Sequence, residues 1–392
     1  MKSGDFKITK VIGVLVILLF ALEAFVTVYT QLIDYNKVRI LGIYKVTFQV
    51  IILFLIKYKN LNKKILYLLI GFIFVFCIST LLNPLLNHNF IWLLTKGSIY
   101  FFDRYILIIL FALMLLSRKN QVDIVKTSFR YIEIILLVNS AIILFAFLFN
   151  LDFFKSYINS NRFGYDGLFN KPNEISIVYI IYIVYLYYKS FVDKTKTPIL
   201  FITISIISLL LGTKSILLFF SLLFIFHFLF IFNGNKFVKR TALGLVIVVL
   251  FFFNTIIKYF FGLFSFWSNI EDINVLTLLL SNRDVLVCQN IKYLNSNWST
   301  FNYIVGGGFY TNDFVISQMD GIDLFIFFGI AGMLIYCLML GQIFIKKNKI
   351  TSGLIIIVFT CSFLGGGLLT SAISMILLLF VSTLLNSKRS DV

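Results

Sequence analysis

Residues 10–30 read KVIGVLVILLFALEAFVTVYT: an apolar run with one internal carboxylate, Glu23, and no proline. As a helix rising about 1.5 Å per residue, a run of this length matches the hydrocarbon core of a bilayer, roughly 30 Å thick. Glu23 lies within it and no small-residue cleavage site follows, which predicts a retained span rather than a removable signal peptide. Comparable runs recur at 40–56, 65–82, 99–117, 131–150, 174–188, 198–211, 215–232, 241–257, 323–345, 351–366 and 371–386. The composition agrees: 60% of residues are hydrophobic and 13% charged, against about 25% charged in soluble domains. Disordered, disulfide-stapled secreted and nucleic-acid-binding classes fit poorly. The expected fold is therefore an all-α polytopic membrane protein, one bundle over residues 1–392 with about twelve transmembrane helices.

The formal net charge of +17 follows from how the loops alternate. The N-terminus, 57–64, 118–130, 189–197, 233–240, 346–349 and the C-terminus hold 22 Lys/Arg against 4 Asp/Glu. The other loops hold 10 basic residues, and 10 acidic ones once Glu174 and Asp323 at the mouths of their spans are included. Basic loops resist translocation, which predicts that the first set and both termini are cytoplasmic. The excess charge then reports topology and calls for no nucleic acid. Cys77, Cys288, Cys337 and Cys361 form no CxxC pair, and His88 and His227 are far apart, so neither a disulfide nor a zinc site is expected.

Two exoplasmic loops are long, 151–173 and 258–322, the second preceding the tenth span and predicted to be partly helical. Its stretch INVLTLLLSNRDVLVCQNIKYL (273–294) reads as an amphipathic helix. In the first loop, Gly164 and Gly167 permit unusual backbone conformations, and Pro172 with Glu174 marks a helix start. Arg162 stands just before that turn, Lys214 in the turn LLLGTKSILLFF, and Arg283 in the second long loop. A basic residue on the outer side runs against the topological bias, and snorkelling to headgroups is the ordinary explanation for one alone. Asp320 and Asp323 open the tenth span, where a helix dipole favours negative charge. Glu23, Lys45, Asp103, Arg104 and Glu133 fall inside spans and need partners or a wet cavity.

These pieces resemble the O-antigen polymerase and ligase superfamily, the Wzy-type polysaccharide polymerases with their O-antigen ligase relatives. The matching segments are NRFGYDGLFNKPNE (161–174), similar to an R-x-G…F-x-x-P-N element, LGTKS (211–215), SNR (281–283), VGGGF (305–309) and QMD…FFGIAG (318–332). Ligase members, and some polymerases, place a His before that last span; Gln318 and Asp320 stand there, which leans toward the polymerase branch and away from a His-based step. The resemblance implies a bacterial cytoplasmic-membrane glycosyltransferase, active on the exoplasmic face, that joins polyprenyl-diphosphate-linked oligosaccharide repeats without metal, cofactor or nucleotide sugar. It implies a lipid-linked donor and acceptor as partners, with a chain-length regulator and a flippase in the same pathway. In that reading Arg162, Lys214 and Arg283 bind the diphosphate and Asp320 is the general base or orienting acceptor. The lipid tail lies in a groove between Phe-rich helices, and Tyr165, Trp267, Trp298 and Tyr310 are candidate sugar-stacking aromatics. The other readings are a ligase of the same superfamily, and a flippase or transporter for lipid-linked sugars.

Overall fold

The structure is a computed structural model. It describes residues 3–32, 40–87, 98–157, 162–169, 171–195, 198–232, 277, 280–307 and 316–387. The expected span at 241–257 lies outside these residues, as do His88, Trp267, Gly308, Phe309 and Tyr310. The described chain is helical, with one isolated bridge between Lys155 and Tyr165. The described residues form thirteen α-helices in order: α1 Ser3–Leu32, α2 Ile40–Leu55, α3 Lys63–Asn87, α4 Ser98–Leu116, α5 Gln121–Leu148, α6 Pro172–Tyr187 and α7 Pro198–Leu209. Then come α8 Lys214–Phe226, α9 Arg283–Asn297, α10 Thr300–Val305, α11 Asp320–Phe344, α12 Lys349–Gly365 and α13 Ala372–Ser387.

Among the described residues, six helices are long and apolar enough to cross a membrane, beginning at Thr9, Lys63, Gln121, Pro172, Lys214 and Asp320, and four shorter apolar helices accompany them. The protein is thus a helical membrane protein. Large apolar side chains on the outside suit lipid contact: Phe54 is 85% exposed and Phe74 64%. Water would penalise such faces, whereas hydrocarbon does not.

The centre of the bundle is α6 with α13. Every residue of α6 from Ile175 to Tyr187 is buried, as are Ala372–Val381 of α13. A helix buried on all sides has no polar face, so its sequence reads as a nearly continuous apolar run. Around this pair α1 packs on α5, α2 on α4, α3 on α11 and α8 on α12. Rings fill the α3–α4–α11 junction, with Phe76 stacked on Phe102 at 3.8 Å and Phe72 against Phe328 at 4.4 Å.

Charges within the spans find partners. Glu23 of α1 pairs with Lys45 of α2 at 3.0 Å and approaches Lys171 at 3.7 Å, and the Tyr182 hydroxyl donates to Glu133 at 3.2 Å. Buried ions without such partners would cost several kcal/mol.

Two breaks correct the expected regular helices. The predicted helix over 273–294 is interrupted: Ser281 and Asn282 are left-handed (φ 54 and 66) and α9 starts anew at Arg283. Asn tolerates that conformation because its short amide bonds locally. The helix expected to start at 323 begins at Asp320 and breaks at Gly329, with φ 66 and ψ −173, a region open only to glycine. The short helix α10 folds back against α3 and α11 at this break. There the Gly307 amide donates to the Ile326 carbonyl at 3.0 Å and the Ser79 hydroxyl to the Gly306 carbonyl at 3.1 Å. Backbone groups freed inside a membrane need partners of this kind.

Candidate functional site

The site forms at the end of the bundle where α6, α8 and α11 begin. The segment 162–169 lies on the turn between α7 and α8: the Tyr165 amide donates to the Leu210 carbonyl at 2.9 Å. The approach is close enough that a Cβ on Gly164 would sit 2.7 Å from the Leu211 carbonyl oxygen, at φ 155. Glycine is required there, as the sequence suggested. This contact carries Arg162 to Lys214. The Arg162 guanidinium also lies 4.1 Å over the ring of Tyr157.

Arg283 reaches the same place from α9. Its Nη1 donates to the Leu364 carbonyl at 3.0 Å, which fastens it to the last turn of α12. Arg162 and Arg283 both lie within electrostatic reach of Lys214, and Arg283 also feels Tyr157, Asp320 and Asp323. Burial pulls the Arg283 guanidinium below its ordinary range, and Arg162 adds to this; the negative groups oppose it. The three cations named from sequence thus converge, all of them half-buried. Buried polar atoms without a hydrogen-bond partner lie here too: Arg283 Nε, and Ser156 Oγ beside Gly164. Such atoms mark a place completed by water or ligand.

Asp320 stands behind the turn that Arg283 grips. Its carboxylate accepts from the Ser362 hydroxyl and from the amides of Gly367 (3.2 Å), Leu368 (2.9 Å) and Leu369 (3.0 Å). Three of these four bonds fall on one oxygen, and the residue is 5% exposed. That geometry makes Asp320 the anchor of the Gly365–Leu369 turn. Asp323 is likewise engaged, accepting from the Ser317 amide at 2.8 Å.

Sequence reasoning missed the cavity beside this core. A cavity of mixed polar and apolar lining, about 320 Å³, opens beside the turn, with Arg104, Lys171, Glu174, Gln318, Asp320, Asp323, Gly367 and Thr370 among its walls. The Lys171 ammonium is disfavoured by burial, but Glu174 and Glu23 outweigh that and hold it above its ordinary range. An apolar groove of about 450 Å³ starts at Asp320 and Ser362 and runs between α11 and α12 past Met333, Cys337, Gly341 and Ile356. Of the candidate aromatics, Tyr165 is 4% exposed and donates to Asn150, so its ring is part of the packing. Trp298 packs edge-on to Tyr303 at 5.2 Å. Among the described residues, no group of three or more His, Cys, Asp or Glu side chains is placed to hold a metal ion.

Asp166 gives a pH prediction. Fully buried in the 162–169 segment, its carboxyl is pushed from an ordinary 3.8 up to about 8 by desolvation. The folded chain then holds a proton that the unfolded chain releases, so stability falls as pH rises from about 4 to about 8. Asp166→Asn, which imitates the neutral acid, is expected to raise the thermal midpoint at pH 8 and to leave it nearly unchanged at pH 4. Equal shifts at both pH values would rule out this carboxyl as the titrating group.

Comparison with protein-family models, curated proteins and solved structures gave no match for this chain.

Proposed function

We propose that this protein is a membrane glycosyltransferase that lengthens a surface polysaccharide by joining oligosaccharide repeats carried on a polyprenyl diphosphate. The observation that carries this reading is the convergence of Arg162, Lys214 and Arg283 on one half-buried place beside the mouth of an apolar groove. Three like charges held together in partial burial repel, and an anionic ligand relieves that cost. A diphosphate that leaves with its electron pair develops negative charge, which fixed guanidinium groups stabilise through paired donors. The groove suits the isoprenoid tail of the same molecule. Attack opposite the diphosphate inverts the anomeric centre in a single displacement. Asp320, as anchor of the turn that Arg283 holds, positions the cations. The chain is read as about twelve spans in the bacterial cytoplasmic membrane with cytoplasmic termini, the site facing outward toward donor, acceptor and lipid.

Purified protein given lipid-linked repeats should produce a ladder of longer chains. Lys214→Ala is expected to lower elongation about 10²-fold and Lys214→Arg to keep most of it, the pattern of a charge role. Full elongation by Lys214→Ala would remove Lys214 from the machinery. A single transfer in place of a ladder would indicate a ligase of the same superfamily. The broken helix α11 favours one further reading, a flippase for lipid-linked sugars, since discontinuous helices often mark transport sites. Movement of intact substrate across vesicles without any ladder would support it.

A further inference from the structure

We infer that the cavity bounded by Arg104, Lys171, Glu174, Asp323, Gly367 and Thr370 is the subsite for the acceptor's terminal sugar, with the Glu174 carboxylate taking the proton from the attacking hydroxyl; this rests on the glycosyl-transfer reading above. The volume, about 320 Å³, admits a sugar ring with some water. Its lining mixes carboxylates, cations, amide side chains, hydroxyls and glycine backbone with apolar surface, the donors, acceptors and packing faces a sugar ring needs.

The cavity shares a wall with the cationic hollow. On one side of the Leu364–Gly367 turn, Arg283 holds the Leu364 carbonyl and Gly365 packs on Ser215, the neighbour of Lys214. On the other side, Gly366 packs on the backbone of Gln318 and Gly367 on the backbone of Asn173 and Glu174. A sugar at the edge of the cavity therefore lies one turn away from a diphosphate held among the cations. In-line displacement places the acceptor hydroxyl past the edge of that turn, about 3–3.5 Å from the anomeric carbon.

Glu174 is singled out among the lining carboxylates by what the others are doing. Asp320 is committed to four donors and Asp323 to the Ser317 backbone, each 5% exposed. Glu174 pairs with Lys171 at 3.4 Å through one oxygen, and its side chain is 26% exposed. It also sits in the first turn of α6, so its position is fixed by the central helix. In the step, the acceptor oxygen bonds to the donor's anomeric carbon as that carbon's bond to the diphosphate oxygen breaks. The bonding pair leaves on the diphosphate, and the hydroxyl proton passes to Glu174.

The test uses full-length protein in lipid nanodiscs, with labelled lipid-linked polymer as donor. The acceptor is the single lipid-linked repeat extracted from producing cells that lack this gene. Glu174→Gln, nearly isosteric, should lower kcat by about 10²–10⁴-fold, the usual range for losing a general base, with the KM for donor unchanged. Thr370→Trp, which fills the cavity, should instead raise the acceptor KM at least tenfold and leave the donor KM unchanged. Wild-type elongation together with Glu174→Gln within threefold of it, or an unaltered acceptor KM in Thr370→Trp, would overturn the assignment while leaving the glycosyl-transfer reading intact. A wild-type protein that makes no product from these substrates overturns both.

Discussion

Arg283→Ala should abolish chain elongation while the protein still folds and inserts. The guanidinium has two jobs that alanine cannot do. It contributes one of three convergent cations, and its Nη1 holds the Leu364 carbonyl at 3.0 Å. Loss of a single stabilising donor at a developing charge commonly lowers turnover 10²–10³-fold. Loss of the grip on the turn between hollow and cavity should carry the effect toward the upper end of that range. Arg283→Lys retains a charge but not the planar fork, and it is expected to fall between wild type and alanine. Elongation measured as ladder length against time decides the matter, with size-exclusion behaviour as the check on folding. An alanine variant that elongates within a few-fold of wild type would remove the diphosphate role from Arg283, and full activity with Arg162→Ala added would remove the mechanism.

The second large effect concerns the break in α11. Gly329→Ala should cost several kcal/mol and sharply reduce the yield of folded protein. Its backbone lies where side-chain-bearing residues are almost never found, and a new Cβ would meet the Ile304 carbonyl oxygen and the Gly306 amide nitrogen. Neither atom can withdraw easily, because the Gly306–Gly307 turn is tied to Ile326 and to Ser79. Gly341 on the same helix is the control: a Cβ there meets nothing within 4 Å, so Gly341→Ala should be neutral or slightly stabilising. Thermal unfolding in detergent compares the two. Equal midpoints would mean that α11 runs unbroken through Gly329.

The contrast between these glycines shows what the sequence can convey. Hydropathy located the helices, because a span 20 residues long leaves a signal that needs no knowledge of neighbours. Pro172 announced the start of α6, since proline fits the first turn and few other helical positions. Arg162, Lys214 and Arg283 stood out as basic residues on loops predicted to face outward. Their meeting depends on contacts between remote segments, such as the Gly164–Leu211 approach, and composition is silent on those. The break at Gly329 was hidden for a related reason: FFGIAGML is compatible with a helix until α10 arrives beside it. Asp320 looked like a helix-end charge with catalytic potential. Its four donors come from residues 362–369, more than forty positions away, and local patterning cannot reveal them. The cavity containing Glu174 is assembled from four separated stretches and had no local signature at all.

The complete enclosure of α6 has a consequence for how the molecule is made. Its tyrosine-bearing segment leaves the ribosome long before α13, the element that packs against it most extensively. Until α13 has been made, this segment must wait with its hydroxyls facing lipid or provisional neighbours. Consolidation of this core is therefore governed by the arrival of α13, and a chain stopped before residue 372 would insert yet never settle.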